Sequence, residues 1–209
     1  MINKKLKFFL GGIGFFLLFV LFSYLVHRNS FIGFDFNTTV RLQDHISRRF
    51  DEPFSVFSDI GNFEPALIFL IIILILRRKL WGIFALGFFG LIHAFELYGK
   101  FFVEHLPPPQ FMLRVKHLVE FPRFHVRSEF SYPSGHSARA AFLSILIGLI
   151  VWRSKKFSHT QKLIIIAVLI TYDITMFVSR IYLGEHWISD VIGGALLGLA
   201  LGLLSVVLI

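Results

Sequence analysis

Residues 179–190 read Ser-Arg-Ile-Tyr-Leu-Gly-Glu-His-Trp-Ile-Ser-Asp and lie between two strongly apolar runs. Charged groups at the rim of a membrane segment are costly unless they pair or face a cavity, which makes this cluster a candidate site. With a helix begun by His186, Asp190 stands one turn on along the same face. A carboxylate there holds one imidazole nitrogen protonated and leaves the other as a nucleophile. Arg180 adds a permanent planar cation whose N–H groups suit phosphate oxygens.

A second cluster is Pro133-Ser134-Gly135-His136, directly before another apolar run. At a helix start these residues let backbone N–H groups approach an anion, and the helix dipole favours negative charge there. His136, in the first turn, is placed to give a proton to a group leaving that anion. Lys100 ends a third apolar run. A lone lysine there is usually a snorkelling anchor, and Glu96 one turn earlier can pair with it. Asp173, about two turns before Arg180, reads either as that arginine's partner or as an inert helix-to-helix hydrogen bond, with a slight preference for the second.

The elements that must position these groups are membrane helices. Of 209 residues 56% are hydrophobic, 27 are Phe and 16% are charged, and the mean hydropathy is +0.73, the composition of an integral membrane protein. About 20 apolar residues cross the hydrocarbon core as a helix. Six runs qualify: 8–26, 60–76, 80–99, 135–152, 163–181 and 187–209. The second is the weakest, because Asn62 and Glu64 fall in its first turns. The expectation is an all-α polytopic protein with six transmembrane helices in a single domain, 1–209. The first run exceeds a signal-peptide core and lacks a cleavage site, so it reads as a retained span.

Lys4, Lys5 and Lys7, then Arg77, Arg78 and Lys79, then Arg153, Lys155, Lys156 and Lys162 occupy three segments free of Asp and Glu. The positive-inside rule makes those segments, and hence both termini, cytoplasmic. The net charge of +8 then reflects topology and lipid headgroups rather than nucleic acid. Cysteine is absent, which excludes disulfides, thiolate zinc sites and cysteine nucleophiles. All the clusters above fall on the extracytoplasmic side.

That side also receives 27–59 and a long loop, 101–134. Around 42–50, Leu42, Ile46 and Phe50 recur at a spacing of four, as in an interfacial amphipathic helix or equally a plain loop. Pro107-Pro108-Pro109 ends the third span by about Leu106. The loop beyond carries Arg114, Lys116, His117, Arg123, His125 and Arg127 with Glu120 and Glu129. A loop of that length in a small membrane protein reads as a functional cover more readily than as a passive connector.

Pro133-Ser134-Gly135-His136, with Ser179-Arg180, five residues, His186, three residues and Asp190, resembles the second and third signature motifs of the type 2 phosphatidic acid phosphatase superfamily. The resemblance implies six membrane helices and removal of phosphate from a lipid phosphate or diphosphate without a metal or other cofactor. Phosphatidate, phosphatidylglycerol phosphate and polyprenyl diphosphate all suit. It also implies roles: His186 attacks phosphorus and becomes a phosphohistidine, Asp190 orients it, and His136 protonates the leaving oxygen. Lys100, Ser134, Gly135 and Arg180 bind the phosphoryl oxygens. The partners expected are the lipid substrate and membrane lipids, and the small basic chain suits a bacterial plasma membrane.

The first motif is degenerate. The family pattern is a lysine, six residues, then Arg-Pro, whereas Lys100 is followed by six residues and Pro107-Pro108. The leading candidate to replace the arginine is Arg139, one helical turn beyond His136; Arg114, Arg123 and Arg127 are others, and a shifted register starting at Lys116 is disfavoured. The alternatives to a hydrolase are a phosphotransferase of the same fold and a non-catalytic lipid-phosphate binder.

Overall fold

The computed structural model describes residues 4–77, 82–115 and 129–208. Among the described residues, eight α-helices follow in order: α1 (Lys4–His27), α2 (Ile32–His45), α3 (Asp51–Asp59), α4 (Phe63–Arg77), α5 (Ile83–Phe102), α6 (Gly135–Arg153), α7 (His159–Tyr182) and α8 (Ile188–Leu208). Short 3₁₀ turns lie at Arg48–Phe50 and Gln110–Met112, and there is no strand among the described residues.

Helices α1, α5, α6, α7 and α8 are long and apolar enough to cross a membrane. The expected second span is instead a broken one. At 15 residues α4 reaches about 22 Å, short of a hydrocarbon core of about 30 Å. The segment Arg48–Asp59, bent by 50° from α4, forms with it a pair long and apolar enough for one broken span or a re-entrant loop. Of the two polar residues that weakened the run, Asn62 lies in the break and Glu64 in the first turn of α4. Of the two readings of 42–50, a helix or a plain loop, neither holds throughout: α2 begins earlier, at Ile32, and stops at His45, where Ile46 turns extended (φ −96°, ψ 121°), and a 3₁₀ turn follows at Arg48–Phe50.

Helix α8 lies at the centre of the bundle against α6, α1 and α5. Gly194, Gly198 and Gly202 recur every fourth residue along it and meet the Ser134 carbonyl and Ser137, Ala138 and Ala141, and Ile145, respectively. Small residues at that spacing let two helix backbones approach closely, which membrane helices need because lipid is as apolar as leucine. The same contact carries a hydrogen bond from Ser134 N to the Asp190 carbonyl, 3.0 Å. Outward faces of α1 and α7 expose Leu17, Leu21, Ile164 and Val168, as expected where the solvent is hydrocarbon.

The cationic helix ends gather at one end of the bundle. Arg77 and Arg153 line a cavity with Val206, and the Arg153 guanidinium sits 5.3 Å from the Phe8 ring centroid. Lys100, His136, Arg180 and Asp190 occupy the opposite ends of their helices.

Candidate active site

Each predicted residue is placed by a helix terminus. Ser134 caps α6: its hydroxyl oxygen accepts from Ser137 N at 3.5 Å and from the Ser137 hydroxyl at 3.1 Å. Gly135 follows, pressed so closely against Glu96 that a Cβ there would collide with its carboxylate. His136 stands in the first turn of α6, as expected, and its Nε2–H donates to Asn62 Oδ1 at 3.0 Å. The Asn62 amide is oriented by its own Nδ2–H, which donates to Asp59 Oδ1 at 3.1 Å. An amide held that way turns its oxygen to the imidazole, so the proton resides on Nε2 of His136.

His186 departs from the expectation that its helix has already begun. It lies in the turn after α7, and α8 starts at Ile188. The cause is local capping. Asp190, third residue of α8, accepts the N–H of Trp187 on Oδ2 at 3.0 Å. The next orphan donor, Ser189 N, is satisfied by Asp35 Oδ1 at 2.9 Å, so the first turn is closed by two carboxylates. The paired geometry survives: His186 Nδ1–H donates to Asp190 Oδ2 at 3.3 Å, leaving Nε2 without the proton. Burial pulls the basicity of His186 below its ordinary value, and the charges of Arg180 and Lys100 add to this, against the opposing pull of Asp190. This lowering favours the neutral form of the ring.

Arg180 ends α7 and is buried. Its Nη1 donates to the Ser58 hydroxyl and pairs with Glu185. Its Nε, also buried, has no hydrogen-bond partner among the described residues. A buried N–H without an acceptor is costly, and this one lies within electrostatic reach of both histidines. The turn that returns the chain from Arg180 to His186 needs Gly184, at φ +71° with a Met112 carbonyl against its Cα.

Lys100 pairs with Glu96 at 3.0 Å, as the sequence allowed. Arg139 shares that carboxylate at 2.7 Å and donates Nε–H to the Gly61 carbonyl at 2.9 Å. It therefore shares a carboxylate with Lys100, and its charge is already paired. Arg114 stacks over the Tyr182 ring at 5.0 Å. Lys116, Arg123 and Arg127 lie outside the described residues. Asp173 accepts a hydrogen bond from Ser144 at 2.8 Å, the helix-to-helix bond rather than the arginine partner.

Sequence reasoning missed Ser58, Asp35 and His105. His105 Nδ1–H donates to Asp190 Oδ1 at 2.8 Å, and its Nε2 faces Asp35 Oδ2 at 3.5 Å. The available signal was weak: a histidine five residues after Lys100, inside the degenerate first motif.

The sequence profile of the PAP2 superfamily matches residues 78–209, which include every residue of the site except those on α2, α3 and the α3–α4 break. The chain belongs to the PAP2 superfamily. Among relatives of known name, the PAP2 chain is 30% identical over 125 residues to phosphatidylglycerophosphatase B of Bacillus subtilis, covering 59% of this chain and 56% of that protein. It is 33% identical over 70 residues to a dihydrosphingosine 1-phosphate phosphatase of Saccharomyces cerevisiae, covering 34% of this chain and 17% of that one. The match thus spans little more than half of the first relative and a small part of the second. The fold is similar to the crystal structure of a transmembrane PAP2-type phosphatidylglycerolphosphate phosphatase from Bacillus subtilis: TM-score 0.76 and 25% identity, over 93% of this chain and 94% of that one. Aquifex aeolicus LpxE shares the fold at TM-score 0.57 and 24% identity, over 83% and 94% of the two chains.

Proposed function

We propose that this PAP2 protein is a membrane phosphatase that hydrolyses a lipid phosphate, with phosphatidylglycerol phosphate the first substrate to test. The observation that carries this reading is the pairing of His186 with Asp190 beside the buried Nε of Arg180, which has no partner among the described residues. A nucleophile and an unmet donor for a phosphoryl oxygen are what phosphoryl transfer requires of a protein. The names of the relatives supply the substrate class.

In the reaction proposed, His186 Nε2 attacks phosphorus while Asp190 holds the Nδ1 proton. The bond from phosphorus to the lipid oxygen breaks, and His136, as the imidazolium that the bound phosphate dianion favours, gives that oxygen its Nε2 proton and is left neutral. Water, giving a proton to Nε2 of His136, then attacks the phosphohistidine, the P–N bond breaks, and inorganic phosphate leaves with His186 and His136 both restored. Arg180, Lys100 and the N–H groups at the start of α6 hold the phosphoryl oxygens, with Arg139 strengthening the Lys100 side. No metal enters, so EDTA leaves the rate unchanged. The site faces away from the cytoplasm, a placement supported by the cationic ends at the other end of the bundle.

The test is phosphate release by purified protein in detergent from phosphatidylglycerol phosphate, phosphatidate and polyprenyl diphosphate, with His186→Ala as control. Release that disappears in the variant is expected. Full release by the variant rejects the mechanism. Lipid-phosphate binding without release by either protein replaces the enzyme with a binding protein.

A further inference from the structure

Behind the proposed nucleophile, the motif residue Asp190 joins two further buried charges that are not fixed positions of any motif. Asp35 from α2, His105 from the segment after α5, and Asp190 from α8 are 1%, 5% and 0% exposed. The ring of His105 lies between the two carboxylates, Nδ1 at 2.8 Å from Asp190 Oδ1 and Nε2 at 3.5 Å from Asp35 Oδ2. With a carboxylate at each nitrogen, either lone pair on the ring would face negative charge, so both nitrogens carry protons and the ring is a cation.

The surrounding backbone fixes this arrangement. The His105 carbonyl accepts from Ser131 N at 2.9 Å and from the Ser131 hydroxyl at 3.1 Å. Trp187 Nε1–H holds the next carbonyl, Leu106 O, at 2.7 Å. Asp35 is itself held by Ser189, through N and Oγ, both at 2.9 Å. Each member of the set therefore has its remaining polar atoms engaged, as a buried charge requires.

We infer that His105 is a positioning residue: clamped between Asp35 and Asp190, its cation fixes the Asp190 carboxylate and limits the pull of that carboxylate on His186, keeping the nucleophile unprotonated at neutral pH. This rests on the phosphatase reading for its effect on rate, but not for its effect on the two rings. Asp190 offers one oxygen to each histidine, so charge shared with His105 is withdrawn from His186. Among the described residues, the other charges facing His186 are Arg180 from α7 and Lys100 from α5, with His136 of α6 interacting with it and Glu185 paired to Arg180. Around His105 the facing charges are Asp35 and Asp190, while Glu104 beside it is exposed. Burial alone would lower its basicity, but the hydrogen bonds to Asp190 and Asp35 overcome this and raise it to about 9. The position also explains how the degenerate first motif retains a cation: it stands two residues before Pro107, committed to carboxylates.

The test compares the full chain in detergent with His105→Gln and His105→Arg. His105→Gln lowers kcat about ten- to a hundredfold, the usual cost of losing a group that orients a ligating or catalytic partner, and leaves KM near its starting value. With the cation gone, His186 binds its proton more tightly, so the acid limb of kcat/KM moves up by about one pH unit. His105→Arg keeps a planar cation between the carboxylates and restores most of the rate and the original limb. Independently of turnover, ¹⁵N-histidine NMR shows His105 protonated on both nitrogens at pH 7 and the His186 titration moving upward in His105→Gln. A wild-type chain that releases no phosphate rejects the enzyme but leaves this NMR result to be judged by itself. An unchanged His186 titration in a folded His105→Gln protein overturns the inference, as does a neutral His105 ring at pH 7.

Discussion

His136 and His186 are the same side chain at one end of the bundle, but their partners differ. His136 leans on an amide oxygen, Asn62 Oδ1, itself oriented by Asp59. His186 leans on a carboxylate, Asp190, which also holds His105 and the Trp187 N–H. An amide oxygen chooses which nitrogen carries the proton without adding charge, so the proton remains available to give. A carboxylate holds its proton for as long as positive charge develops on the ring, which is what a nucleophile needs. In the proposed mechanism, the second partner alone would divide one residue type into an acid and a nucleophile.

The most direct break in the comparison is His186→Ala. It removes the only group in the proposed scheme able to carry phosphorus, and the rate falls by about 10⁴-fold or more, read as phosphate release from the lipid. His136→Ala removes the proton donor but leaves the attack intact. Its loss is smaller, about 10²- to 10³-fold on a lipid substrate, and it nearly disappears with p-nitrophenyl phosphate, whose leaving oxygen needs no proton. Equal deficits on both substrates would show that His136 is not the acid.

The site was legible where its residues sit close together in the chain. Arg180, His186 and Asp190 share one helix junction, and Ser134 to His136 open another, so spacing was enough to group them. The apolar runs likewise gave the order of the helices, and the cationic segments gave the shared end of the bundle. What sequence could not show was the partner supplied from far away. Asp35 reaches Ser189 across 154 positions, and His105 reaches Asp190 across 85. A single loop histidine or a single helix aspartate carries no signal until the fold brings them together. Asn62 is the instructive middle case. It registered as a flaw in an apolar run, and the flaw is real: α4 is too short to span because the chain breaks there. The break is what turns Asn62 toward His136.

That residue also offers the finest test of the contrast. Asn62→Ala takes away one hydrogen bond to His136 and leaves the imidazole free to turn, a loss of about five- to tenfold in kcat, the worth of one such bond. Asn62→Asp is nearly isosteric but places a carboxylate where the amide oxygen was, giving His136 the kind of partner His186 has. A proton held by a carboxylate is given up less readily, so Asn62→Asp is slower than Asn62→Ala on the lipid substrate and equal to it on p-nitrophenyl phosphate. Melting temperatures of both variants separate this from a loosened α3–α4 break, since Asn62→Ala also loses the bond to Asp59 and is the less stable if packing governs the rate. If Asn62→Asp matches the wild type on both substrates, the partner of His136 does not set its role, and the division of labour between the two histidines has to come from where each one meets the phosphate.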